Sequence, residues 1–184
     1  MFYTDSSNNR YRIGTPFTYN GYYYGTALAT HAKFIELGFT QVIVAARPDD
    51  RFYFVTGPAA DGTYTSTDRD LAELKTNFVA EQKRRAHQLL SGTDWYVLRL
   101  IDGGFTDADS QVPADIRTYR AGIRTASNTR CTEINAVTTV AALETLITNP
   151  ETIEDTENPG TYIQNPAGLT QFPTLANAGT YSVY

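Results

Sequence analysis

The side chains of this chain that are able to do chemistry are few and dispersed. His31 lies in "TALATHAKFIELGF", Asp49 and Asp50 are adjacent in "RPDDR", and Cys131 is the single thiol. A histidine can serve as a general base near neutral pH, but nothing in the segment around His31 supports that role, and a satisfied, partly buried histidine is the simpler reading. Adjacent carboxylates in a Pro-Asp-Asp turn point apart, whereas a glycosidase pair must face each other across a substrate. One cysteine excludes an intramolecular disulfide and a thiolate cluster for zinc, and it fits a chain made in a reducing compartment. The sequence has no phosphate loop, zinc-ligand spacing, Gly-x-Ser-x-Gly elbow or Cys-His pair with an orienting partner. The expectation is a protein that is not an enzyme and holds no cofactor or metal.

Aromatic and charged residues are more informative. In "RYRIGTPFTYNGYYYG" two aromatic runs flank Asn20-Gly21, and Tyr19, Tyr22, Tyr23 and Tyr24 form a cluster. Such rings suit a half-buried sheet or a subunit interface, and they also suit a platform on which a host glycan stacks. Lys83, Arg84, Arg85 and His87 are the nearest approach to a nucleic-acid patch. Spread around a helix they read as a solvated surface, and a net charge of -5 argues against a nucleic-acid partner. The last cation is Arg130, so a basic middle is followed by an acidic final third, an asymmetry suited to docking between copies or onto a partner. No apolar run approaches eighteen residues and no leader precedes the first aromatic run, so neither a membrane span nor a signal peptide is expected.

The elements that position these residues follow from periodicity. Asn20-Gly21 predicts a hairpin. Leu28, His31, Ala32 and Ile35 predict a short helix with Thr26 as its cap and Gly38 as its stop. The β-branched run after Gln41 and the alternating run up to Thr56 predict a second hairpin around Pro-Asp-Asp. From Thr67 to Ser91 a long helix is expected, capped by Thr67 or Asp68 and spanning ~35 Å. Its stripe of Leu71, Leu74, Phe78, Gln82, Arg85 and Leu89 is apolar at both ends and polar in the middle, which suggests a spacer or an oligomer helix. Ser91-Gly92 stops it, and Thr93-Asp94 caps a short helix on which Trp95, Leu98 and Ile101 share a face. Pro113 opens the next helix, and Trp95 is expected to be the core anchor of a helical hairpin with Tyr119 and Ile123 as its partners. Arg120 is expected to stack on an aromatic face. A further helix follows from Thr139 to Ile147.

From Thr148 onward, Pro150, Pro159, Pro166 and Pro173 prevent a regular helix. Isolated apolar residues, among them Tyr162, Phe172, Tyr181 and Tyr184, suggest an extended strap that binds a partner. The fold class is therefore α+β, in four parts: an N-terminal hairpin and helix module over 1–66, a long connecting helix over 67–92, a small helical domain over 93–148, and an extended acidic arm over 149–184.

The succession Leu89-Leu90, Thr93-Asp94-Trp95 and Tyr119-Arg120 with Arg124 resembles a segment of tail fibre, tail fibre assembly and tail assembly chaperone proteins of tailed bacteriophages. The stretches "PFTYNGYYYG", "LGFTQVIV" and "RPDDRFYFV" are similar to the small domain that often precedes that segment, so the resemblance spans roughly residues 10 to 147. Many such proteins end their arginine helix with a short proline-containing stop. This chain continues instead with a further helix and arm, which favours a virion structural protein over a chaperone. The resemblance implies a tail-fibre-associated connector of the tail or baseplate, made in the host cytoplasm and located in the virion. Its partners would be other tail or fibre proteins and identical copies. A non-virion assembly chaperone and a glycan-binding host-recognition protein are the alternatives.

Overall fold

The computed structural model describes residues 1–102 and 112–175, and their helices and small antiparallel sheets make an α+β fold. The chain divides into two compact units, Met1–Arg69 and Asp70–Tyr184.

The first unit runs β1 (Phe2–Thr4), β2 (Arg10–Tyr11), β3 (Phe17–Tyr19), β4 (Tyr22–Tyr24), a 3-10 turn (Thr26–Leu28), α1 (His31–Glu36), β5 (Thr40–Val42), β6 (Tyr53–Thr56) and β7 (Thr65–Asp68). Strands β3 and β4 form the expected hairpin, with Asn20 and Gly21 at φ of 50° and 80°. Left-handed values at both central residues give a turn whose twist matches that of the strands. Gly38, at φ of 75°, follows α1 as expected. The cap of α1 is Thr30, whose Oγ1 accepts from the Lys33 amide at 3.3 Å, because Thr26 is taken up in the preceding 3-10 turn.

The expected hairpin from Gln41 to Thr56 does not form. Thr40–Val42 joins β1 in a sheet ordered β2-β1-β5, and Tyr53–Thr56 pairs with Thr65–Asp68. The Pro-Asp-Asp turn is real, since the Asp49 carbonyl accepts from Phe52 and Tyr53. Its flanking strands nonetheless find better partners, because pairing with β1 sets Val42 opposite Phe2 and buries both. The core of this unit is Tyr3, Phe17, Phe34 and Phe39. Phe34 stacks on Tyr3 at 4.7 Å and lies 5.0 Å from Phe17, and each such pair adds about 0.5–1.5 kcal/mol beyond the area it buries.

The second unit contains α2 (Leu71–Ser91), α3 (Asp94–Ile101), α4 (Ala114–Ala136), α5 (Val140–Thr148), β8 (Thr152–Glu154) and β9 (Tyr162–Gln164). Thr67 and Asp68 belong to β7, so the cap of α2 is Asp70, which accepts from the Glu73 amide at 2.7 Å. Helices α2 and α4 are antiparallel. Lys75 near the start of α2 reaches the Asn135 carbonyl near the end of α4, and Leu89 and Leu90 pack with Tyr119 and Ile123 at the opposite ends. The buried residues of α2 are Leu74, Phe78, Gln82 and Ala86, and their four-residue steps keep one face on α4. The helix expected from Thr139 to Ile147 is α5, and Thr139 is its cap, with Oγ1 accepting from the Ala142 amide at 3.2 Å.

The four-part division differs from these two units in two ways. The long helix is half of a core and not a connector, and the arm up to residue 175 folds back on its own unit. β8 and β9 pair with Ile153 opposite Ile163, and Leu169 and Phe172 are buried. Gly168 lies so close to the chain that an added Cβ would come within 2.5 Å of the Pro150 carbonyl oxygen.

Candidate functional site

The four tyrosines of the first hairpin do not form one platform. Tyr24 stacks on Phe17 at 4.7 Å and Tyr19 meets Phe39 edge to face at 4.7 Å, so both belong to the core. Tyr22 and Tyr23 are 70% and 72% exposed. As neighbours on one strand they point to opposite faces of the ribbon, and a flat ligand cannot lie across both.

The core around Trp95 is a clearer correction. Trp95 does share a face of α3 with Leu98 and Ile101, but these are 45%, 59% and 74% exposed. Trp95 contacts the neighbouring Tyr96 ring at 3.9 Å. Tyr96 is the side chain that turns inward, with Val112 and Ile116. Ile123 and Tyr119 pack instead with Ala86, Ala126 and Phe172. Phe172, expected as a free partner-binding residue, is thus part of its own unit's core. Tyr162 on β9 is exposed. Tyr181 and Tyr184 lie outside the described residues.

Two buried arginines organise this unit, Arg120, which was expected to stack on a ring, and Arg130, to which the sequence reading gave no role. Among the described residues Arg120 stacks on no ring. It donates to the Leu90 carbonyl at 2.9 Å and to Thr93 Oγ1 at 2.6 Å, and pairs with Asp94 at 2.8 Å. Gly92 is right-handed, at φ of -61°, so the break between α2 and α3 is held by Arg120 and not by a left-handed glycine. A cation at this carbonyl end also complements the α2 dipole. Arg130 is almost wholly buried. Its Nε donates to Gln82 at 2.9 Å, Nη1 to the Thr170 carbonyl at 2.8 Å and Nη2 to Glu151 at 2.9 Å, and its guanidinium lies 4.5 Å from the Phe172 ring centre. Arg85 reaches Glu151 from the other side at 2.6 Å. Burial alone would raise the Glu151 pKa, but the hydrogen bond and charge of Arg130, with those of Arg85, outweigh it and hold the carboxyl below its usual value. Glu133 completes the strap's attachment by accepting from the Thr170 amide at 3.0 Å and from its hydroxyl. The polar middle of the α2 stripe is therefore an internal network. Its one signal in the sequence was a glutamine set within an otherwise apolar four-residue rhythm.

The remaining candidates are also tied up. His31 Nδ1 bonds the Tyr3 hydroxyl. Asp49 and Asp50 pair with Arg51 and Arg47 at 2.7 and 2.8 Å. Among the described residues no group of three or more His, Cys, Asp and Glu side chains is placed to hold a metal ion. No described helix is long and apolar enough to cross a membrane. What stands open is the apolar face of α3, the exposed hairpin tip and Tyr162. Compared with known protein families, curated proteins and solved structures, the chain has no match.

Proposed function

We propose that this protein is a structural component of a bacteriophage tail or baseplate, a tail-fibre-associated connector located in the virion that works through contacts with other tail proteins and with its own copies. The observation that supports this most is the face of α3, where Trp95, Leu98 and Ile101 stand in water together. Contiguous exposed apolar residues are a feature of protein contact surfaces, and tryptophan is prominent among residues that dominate binding. The resemblance of the Thr93-Asp94-Trp95 and Tyr119-Arg120 segments to phage tail proteins supplies the biological setting.

Mass spectrometry of purified particles tests the reading. The protein is expected in the virion, and incorporation should fall when Leu98→Asp is introduced without loss of fold. Absence from particles whose assembly requires the protein would instead establish the assembly chaperone. Truncation after Thr148 is a poor test, since it removes Glu151, Thr170 and Phe172 from the core. The glycan-binding alternative now rests on Tyr22 and Tyr23 alone, and a glycan array with Tyr22→Ala and Tyr23→Ala variants tests it separately.

A further inference from the structure

The first unit contains a cleft of about 670 Å³, within the size range of small-molecule sites. One side is the edge of the β2-β1-β5 sheet. Arg10 lies on β2 and Arg12 directly follows its last residue, Tyr11. Tyr11 stacks on Phe39 at 4.6 Å, in the core, and both arginines line the cleft. The other side is the segment between β6 and β7, which supplies Pro58 and Tyr64. That segment is firmly shaped. The Ala59 amide donates to the Thr63 carbonyl at 2.8 Å, and the Ala45 amide to the Gly62 carbonyl at 2.9 Å. At Gly57, φ is 123° and a Cβ would come within 2.9 Å of the Thr63 carbonyl oxygen and 3.2 Å of the Tyr64 ring, so a side chain there would strain the segment that carries the ring.

The charge of the cleft is one-sided. Its lining contains two guanidiniums and no carboxylate, in a chain whose net charge is -5. Arg10 is positioned, with Nη2 donating to the Pro58 carbonyl at 2.8 Å and its guanidinium 4.8 Å from the Phe2 ring centre. Arg12 is different. Lys33, Arg47 and Arg51 of this unit form ion pairs, and Arg69 lies over Phe54. Among the described residues the Arg12 guanidinium has no partner. The acids Asp5 and Asp61 are engaged in their own turns, by Asn9 and Tyr11 and by Thr63. Two like charges at one cleft repel unless an anion joins them, and a guanidinium fork matches carboxylate and phosphate oxygens.

We propose that this cleft binds an anionic, ring-bearing small molecule, with its carboxylate or phosphate held by Arg12 and Arg10 and its ring against Pro58 and Tyr64. The site is independent of the virion role, and neither stands or falls with the other.

Calorimetric titration of the full chain with glucuronate and with uridine monophosphate, against glucose and uridine, tests the site. The two anions distinguish a carboxylated sugar from a nucleotide phosphate. At least one is expected to bind at millimolar concentration or below and about tenfold or more tighter than its neutral counterpart, the ordinary worth of charge-assisted hydrogen bonds. Added salt should weaken that binding. Arg12→Gln should reduce it about tenfold with no change in melting temperature, since among the described residues Arg12 has no partner to lose, and Arg12→Lys should fall between. Failure of both anions to bind, equal binding of a neutral counterpart, or unchanged affinity in Arg12→Gln would each overturn the proposal.

Discussion

In Met1–Arg69 the buried centre is ring against ring, with Tyr3, Phe17 and Phe39 each packed on Phe34. In Asp70–Tyr184 the space between α2 and α4 is crossed by Arg130, which Gln82, Glu151 and the Thr170 carbonyl must all satisfy. The first core is held by contacts that tolerate small displacements. The second depends on donors and acceptors meeting within hydrogen-bond distance. The contrast separates two ways of specifying a small fold, by volume and by directional pairing.

The largest effect that would sharpen this comparison is Phe34→Ala. Emptying a fully buried ring site should destabilise the first unit by about 3–5 kcal/mol. Denaturant unfolding followed through resonances of each unit should show the loss confined to the first. Arg130→Met comes next, at about 2–3 kcal/mol in the second unit. Breaking a buried pair costs more in general, but here Glu151 keeps Arg85 and remains partly in water. Adding Gln82→Leu and Glu151→Leu to Arg130→Met should restore much of the loss, and a triple variant no more stable than Arg130→Met would remove the directional account. Gln82→Leu alone should cost about 1–2 kcal/mol by leaving the Arg130 Nε without its acceptor.

Acid and alkali divide the units further. The Glu151 carboxyl is held below its ordinary 4.5, so its contribution is present above that pH and lost as pH falls through the folded value. Burial, and then the hydrogen bond to Asp5, push the Tyr11 phenol from 10.0 up to about 12. Its contribution is complete below the unfolded value and lost as pH rises through the folded one. The second unit should therefore weaken in acid through Glu151 and the first in alkali through Tyr11, while Tyr96, whose phenol burial also raises, adds an alkaline response to the second. Asp5, held low chiefly by the Asn9 side chain, adds an acid response to the first. Unit-resolved melting from acid to alkaline pH checks the signs. The smallest effect is Trp95→Ala, at about 1 kcal/mol or less for a ring so exposed. A loss near that of Phe34→Ala would place the ring in the core after all.

Features legible in the sequence were those decided within a few residues. Asn20-Gly21 and Gly38 each state a local dihedral. The misread features were decided at long range. Val42 pairs with Phe2, and nothing near Gln41 indicates that β1 will outcompete the strand beyond the Pro-Asp-Asp turn. Periodicity placed Trp95, Leu98 and Ile101 on one face, but a period shows which residues share a face and not whether that face is covered. For Arg130, a lone cation in a helix text carries no sign of Gln82 or Thr170, which lie 48 and 40 residues away.

That last separation also sets an order of events during synthesis. Helices α2 and α4 are complete in the growing chain before Glu151 and Thr170 have been added. At ~5–20 residues per second, the 40 residues between Arg130 and Thr170 take roughly 2–8 s to translate. For about the first half of that interval, until Glu151 is added 21 residues after Arg130, Gln82 is the one described member of the network able to meet Arg130, and it is neutral. Consolidation of the helix pair therefore awaits the arrival of its counter-charge, and the β8-β9 region acts as a latch that the ribosome delivers late.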